Sequence, residues 1–368
     1  MKPKSQTSTT SLVDPCYVFA TIAGLGFIAQ WVLMVLNGSL FAILLASLKS
    51  QFPDGSPVKP VWTGIWPIDF SLRILVVFFG GLLNSTELLN HGPFLLLGDL
   101  VLSLVVCGTM TLVEDRRNRR SGPLRYPAFW QIMWNFFGAA SVMPTFSRLY
   151  VTNRSANSPS LPRDQAQALP FTALWSVILA VPIFGPSLVA VKPFRVQDGV
   201  IVWFIAPLAI GPFQDLTSCL IASSHSFYKG FANPVAVAYF IVGAVSAAIH
   251  IGVCKQVFQS PDLSWSRVYW PKPSAVQHGS TLIQESALLF IQFGHLAVSL
   301  SIFAIGFYTL GSRKGLTAQS SSEKIWASVP ILKLLAIEAI AGPGVALAWL
   351  LSRREREITA VNSLRKNT

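Results

Sequence analysis

Five polar side chains stand inside long apolar runs, where a hydrocarbon environment makes them costly: Glu285, Gln292 and His295 in one run, Asp215 in a second and Glu338 in a third. Such residues usually face a bundle interior or a cavity, and they mark sites by default. Glu285, Gln292, His295 and Ser299 are spaced by seven, three and four residues. At the helical period they share one face about 80° wide. Their axial spread is about 20 Å at the helical rise. That stripe lines either a pocket or a packed polar seam between helices. A carboxylic acid buried there keeps its proton and can donate it. His295 can take a proton or orient a hydrogen-bond network, or be satisfied by a backbone carbonyl. Glu338 precedes Ala341-Gly-Pro-Gly344, which loosens the helix and frees carbonyls. Asp215 follows Gly211-Pro212, where the proline removes a helical hydrogen bond. Asp99 reads in the same way. Asp69 and Arg73, four apart, read instead as an ion pair on one helix.

The second chemical feature is aromatic. Among 11 Trp and 25 Phe, Trp130 and Trp134 lie one helical turn apart, with Gln131 and Asn135 beside them. They read as helix packing or as a pocket wall. As a wall, their ring faces attract a cation by about 0.5–2 kcal/mol each, and Gln131, Asn135 and Gln292 supply polar contacts to a bound substrate.

The elements that position these residues follow from composition. The chain has 368 residues, 52% hydrophobic and only 12% charged, with a mean hydropathy of +0.53. A soluble protein of that length needs far more polar surface, and a disordered chain needs fewer apolar residues. The expected fold is all-α, a polytopic integral membrane protein of about nine spans, with eight or ten as alternatives. The apolar runs cover roughly 16–36, 68–84, 93–113, 127–149, 170–191, 200–222, 233–254, 281–310 and 326–351. The first continues past Asn37-Gly38 to Leu48, as a shifted long span or a broken pair. The expected organisation is a flexible polar N-terminus over 1–15, one transmembrane domain over 16–352 and a basic cytosolic tail over 353–368.

Lys and Arg total 28 against 16 acidic residues, a net charge of +12. With nine spans, 17 of the basic residues fall on one side and 9 on the other. The richer side is expected to be cytosolic, with the C-terminus inside. The excess suits topology and anionic lipid rather than nucleic acid. Asn84-Ser-Thr and Asn153-Arg-Ser are glycosylation sequons on the opposite, lumenal side. The four cysteines have no metal or disulfide spacing. There is no Walker A loop, GxGxxG, HExxH or GxSxG, so no cofactor and no metal are expected. An enzyme reading narrows to acid–base work on a lipophilic substrate.

Glu114-Asp-Arg-Arg-Asn-Arg, Pro127-Ala-Phe-Trp130, Trp134, Gly138-Ala-Ala-Ser-Val-Met-Pro144 and the terminal Gly342-Pro-Gly-Val-Ala-Leu-Ala-Trp349 with Arg354-Glu355 resemble a group of fungal integral-membrane terpene cyclases of the ascofuranone meroterpenoid type. The likeness runs from about the third span to the last. Members carry an acidic residue after a Gln–aromatic pair in the eighth span, whereas Gln292-Phe293 is followed here by Gly294-His295. The resemblance implies acid-initiated cyclisation of a prenylated aromatic or terpenoid, often through an epoxide, in an endomembrane such as the endoplasmic reticulum. Upstream pathway enzymes supply the substrate. On that reading Glu338 or Glu285 donates the proton, His295 is base or orienting group, Asp215 is a second acid, and Trp130 and Trp134 face the cation. The rivals are a transporter of a lipophilic metabolite, suggested by the Gly/Pro breaks, and a receptor-like protein without chemistry.

Overall fold

The computed structural model describes residues 13–83, 87–117, 122–153, 161–189, 192–223, 230–277, 279–310 and 321–366. Every regular element among them is a helix. In chain order these are α1 (Pro15–Phe27), α2 (Leu33–Leu36), α3 (Ser39–Lys49), α4 (Trp66–Leu83), α5 (Gly92–Arg117), α6 (Pro127–Phe137), α7 (Ala139–Asn153) and α8 (Arg163–Ile178). They continue with α9 (Val181–Leu188), α10 (Pro193–Ile205), α11 (Pro207–Ser223), α12 (Pro234–Gln259), α13 (Trp265–Tyr269), α14 (Leu282–Leu310), α15 (Ser321–Ala341) and α16 (Pro343–Lys366). Prolines open many of these helices, where the missing N–H costs nothing. Asp14 and Asn233 cap α1 and α12 by accepting from the Cys16 and Ala236 amides.

Six described helices are long and apolar enough to cross a membrane. They are Pro15–Leu36, Trp66–Leu83, Gly92–Arg117, Arg163–Leu188, Pro234–Gln259 and Leu282–Leu310. A seventh span exists if α10 and α11, bent by 56° at Ala206, count as one. The expected nine is therefore not reached among the described residues. The run 127–149 is split by Gly138, which has φ +90° and separates two short helices. The run 326–351 is split at Gly342, with φ +93°. The first run is a broken pair, since Gly38 at φ +78° parts α2 from α3. These breaks sit where only glycine adopts the required backbone cheaply. Asp69 and Arg73 also differ from expectation. Asp69 accepts from the Trp62, Thr63 and Gly64 amides at 3.0, 2.8 and 3.0 Å, and Arg73 donates to Ser50 Oγ at 2.7 Å. The carboxylate holds the turn that leads into α4, leaving the guanidinium to tie α4 to the end of α3.

The buried post of the bundle is α5, with 89% of its apolar window buried. Helices α4, α8, α12, α14 and α16 pack around it, while α1 lies against α7 and α14. Because α5 is enclosed on all sides, it reads as apolar all round rather than amphipathic.

Candidate active site

Three spaces follow one another along α5. The innermost, about 40 Å³, is lined by Gln30, Phe78, Phe79, Leu97, Leu104, Phe290 and Gly294 among others. The next, about 50 Å³, touches Val101, Gly108, Gln131, Ser176 and Ile210. Both share Val101, Leu104, Trp134, Asn135 and Trp203. The outermost is a cleft of about 830 Å³ between α6 and α11, reaching Asp115, Arg116 and Asp215. From Leu97 to Asp115 the spaces run about 27 Å at the helical rise.

The interior is aromatic because α4, α6, α10 and α14 each turn large rings toward α5. Phe79 meets Trp203 edge-on at 5.2 Å, and Phe78 meets Phe290 at 5.1 Å. Gly108 lets α6 come close, since a Cβ there would sit 3.1 Å from the Gln131 amide. Gly138 does the same deeper in, where a Cβ would stand 2.2 Å from Gln30 Oε1. Gln30 Nε2 donates to the Phe290 carbonyl at 2.9 Å, and Gln131 Nε2 to Thr111 Oγ1 at 3.3 Å. Amides thus punctuate an otherwise aromatic wall.

The cleft is electrostatically different. Arg116 bridges two carboxylates, with Nη1 3.1 Å from Asp115 and Nη2 3.1 Å from Asp215. Nη2 also donates to the Gly211 carbonyl at 3.1 Å, within α11 beside Pro212. Gln165 Nε2 reaches the other Asp215 oxygen at 3.2 Å, and Gln214 is tied to Gln165 in turn. The side chain of Arg116 is 8% exposed, while that of Asp215 is 49% exposed. One wall adds Arg125, stacked 5.1 Å over the Tyr126 ring. Just behind, Arg354 pairs with Glu114 at 2.6 Å and donates to Tyr150 at 2.7 Å, and Arg117 pairs with Glu355 at 2.5 Å. The segments Glu114–Arg117 and Arg354–Glu355, far apart in sequence, are therefore one buried ionic cluster that clamps α16 to the end of α5.

The structure sorts the expected residues into separate places. Gln131, Trp134 and Asn135 line the interior spaces, and Asp215 lines the cleft. Trp130 points elsewhere, donating to the Pro123 carbonyl at 3.2 Å and packing on Phe129 and Phe146. The stripe on α14 is a packed seam and not the wall of any of these three spaces. Arg267 holds Glu285 through two bonds of 2.6 Å, and Gln292 donates to the Arg267 and Val268 carbonyls at 2.9 and 3.2 Å. These bonds dock α13 across the bundle. His295 Nε2 stands 3.3 Å from Asp99. Glu338 hydrogen-bonds Ser299, and its Oε2 is buried without a partner. Asn153 ends α7, its side chain donating to the Leu149 carbonyl at 2.8 Å; Asn84 lies outside the described residues.

Sequence reasoning missed Asp115, Arg116, His250, Tyr269 and Trp203. Arg116 looked like an orientation signal, one of a basic run. His250 carried the right signal, an ionisable group within an apolar run. It accompanies Asp99, which is fully buried and accepts from His250 and Tyr269 at 2.8 and 2.9 Å. Burial, with Asp99 beside it, pushes the Tyr269 hydroxyl far above the ordinary phenol range, so it remains a donor.

Residues 15–359 match the CtvD domain. A protein named terpene cyclase DEP1 from Fusarium langsethiae is 27% identical over 360 residues, which are 92% of this chain and 97% of that one. Another terpene cyclase DEP1, from Alternaria brassicicola, is 27% identical over 379 residues, 96% of this chain and 100% of that one. Terpene cyclase alnG from Emericella nidulans is 23% identical, with 91% and 92% covered. No solved structure matches.

Proposed function

The chain belongs to the CtvD-domain family, and we propose that it is a membrane-bound terpene cyclase that closes a ring on a prenylated aromatic or terpenoid by acid-initiated opening of an epoxide. The observation that carries the reading is the bridged pair of carboxyls, Asp115–Arg116–Asp215, at the mouth of an aromatic-lined interior. Curated relatives named terpene cyclases, matched over nearly their whole length, support it.

Epoxide opening needs an acid and a base at once. Both carboxyls are paired with one guanidinium; in this assignment one hands a proton to the substrate and the other receives one. The proton passes to the oxirane oxygen as its bond to the more substituted carbon breaks. An internal alkene or hydroxyl forms the new bond at that carbon. The second carboxylate then removes one proton from the cyclised cation, so the net change is an isomerisation. Asp215 is the donor in this assignment because it is the more exposed of the two and faces the cleft. The cleft takes the body of the substrate, and the slim apolar end enters the interior spaces. There Trp134 and Trp203 present ring faces to developing positive charge. Glu338, with one oxygen free of a partner, is the rival acid; Glu285 and Gln292 hold α13 in place.

The basic end that carries Arg116 and Arg125 is assigned to the cytosolic face of the endoplasmic reticulum, so the cleft opens toward enzymes that make prenylated epoxides. Asn153 then lies on that same face, contrary to the lumenal position expected for its sequon, because Tyr150, one turn earlier on α7, bonds Arg354 in the cluster at the end of α5.

The test incubates membranes from a heterologous host with prenylated epoxides and reads products by mass spectrometry. Ring-closed isomers are expected from the native protein, and Asp215→Asn and Asp115→Asn are each expected to abolish most of the product. Full product from both variants, at matched membrane expression, sinks the assignment. Movement of unchanged substrate with no product favours the transporter reading.

A further inference from the structure

The face of α5 opposite the aromatic spaces carries a second polar site. Asp99 and Ser103 lie one turn apart on α5, and Ser246 and His250 one turn apart on α12. The break between α15 and α16 closes over them. A Cβ on Gly344 would stand 2.3 Å from Ser246 Oγ and 3.1 Å from Ser103 Cα. A Cβ on Gly342 would stand 2.8 Å from His250 Cγ. Only a glycine-lined break fits so tightly against both helices.

Three oxygens here have no partner: Asp99 Oδ1, Ser103 Oγ and Ser246 Oγ. All three residues are fully buried, at 0% exposure. Orphaned buried oxygens are expensive and need an occupant. The other carboxylate oxygen, Oδ2, is already served by His250, Tyr269 and the nearby His295. No Lys or Arg pairs with Asp99 among the described residues, so a carboxylate in the middle of the bundle lacks a fixed counter-charge. One carboxylate oxygen with two hydroxyl oxygens is a hard donor set of low charge, which suits a small monovalent cation. A divalent ion asks for more oxygens and more charge. A soft metal asks for nitrogen or sulfur ligands, and no group of three or more His, Cys, Asp or Glu suited to a metal occurs among the described residues.

We propose that Asp99 Oδ1, Ser103 Oγ and Ser246 Oγ, closed by the Gly342–Gly344 break, bind a sodium ion that neutralises Asp99 and pins α5 and α12 to the start of α16. The site is separate from the cleft, and it stands whether or not the cyclase reading does.

Thermal unfolding of the full-length protein in detergent, followed by tryptophan fluorescence, tests it. Sodium chloride is compared with N-methyl-D-glucamine chloride at equal ionic strength, at pH 6 and pH 8. A saturable rise in the midpoint with sodium is expected, and it should vanish in Ser103→Ala/Ser246→Ala. That double variant keeps Asp99 and its hydrogen bonds, so it folds even if Asp99→Asn does not. Equal midpoints in the two salts overturn the proposal. A midpoint that follows pH and ignores sodium also overturns it, because His250 and His295 then supply the counter-charge. A sodium response that persists in the double variant places the ion elsewhere and overturns it too.

Discussion

Two carboxylates, Asp215 on α11 and Asp99 on α5, show how position decides role. Asp215 sits at the cleft with its side chain 49% exposed, bridged through Arg116 to Asp115. Asp99 sits 16 residues before Asp115 on α5, fully buried and ringed by two histidines and a tyrosine. Both are acids in apolar runs, and sequence treats them alike. Only the first faces a space of substrate size. The second faces protein on every side, so its bonds order helices instead of meeting a ligand of that size. On the cyclase assignment, chemistry belongs where a carboxyl is both paired and reachable, and architecture where it is paired and sealed.

The largest expected effect falls on turnover at the cleft. Asp215→Asn should lower the cyclisation rate by about 10²–10⁴, the usual worth of a positioned acid or base, with the unfolding midpoint little changed. Asp99→Asn should do the reverse, leaving the rate per folded molecule within about threefold. Rates and midpoints measured on both variants decide it, and exchanged outcomes would exchange the two roles. Next comes stability at the hub. Asp99→Ala leaves His250 and Tyr269 without an acceptor and should cost about 3 kcal/mol, the scale of breaking a buried charged network. Denaturant titration in detergent is the measurement, and a cost below about 1 kcal/mol would mean that the hub is not a structural tie.

A smaller effect separates the two neighbouring tryptophans. Trp134→Leu should reduce the rate by about tenfold, since one cation–ring contact is worth about 0.5–2 kcal/mol, while Trp134→Phe keeps most of it. Trp130→Leu should leave the rate unchanged, because that ring packs on Phe129 and Phe146. Equal losses at both positions would show that the effect is packing. The smallest change is Glu285→Gln. It removes the charge and one of the two acceptors that face Arg267, whose side chain is 38% exposed. Solvent screening holds the cost to about 1 kcal/mol or less, and a large loss of midpoint would give α13 a greater role than a docked cover.

Much of the lining was legible before folding. Gln131, Trp134 and Asn135 share one face at helical spacing, and that face meets α5. Asp215 was legible from the proline beside it. The stripe of Glu285, Gln292 and His295 was correct as a face, yet periodicity says which residues share a side and not what covers it. Here α13 covers it, through Arg267 and two backbone carbonyls. Arg116 was hidden for a different reason. A basic residue at the end of a span reads as a topology signal, and its second role exists only because Asp215, 99 residues later, folds against it.

Composition alone pointed to long apolar helices able to cross a membrane, because 12% charge does little to clothe a soluble surface of this size. Local chemistry determined where helices start and break, since proline lacks an N–H and Gly38, Gly138 and Gly342 allow positive φ. Tertiary structure alone decided which acids meet which bases. Asp99 with His250, Glu114 with Arg354 and Asp115 with Asp215 through Arg116 are partners across 100 to 240 residues. No local rule pairs them; the packing of enclosed helices around α5 does.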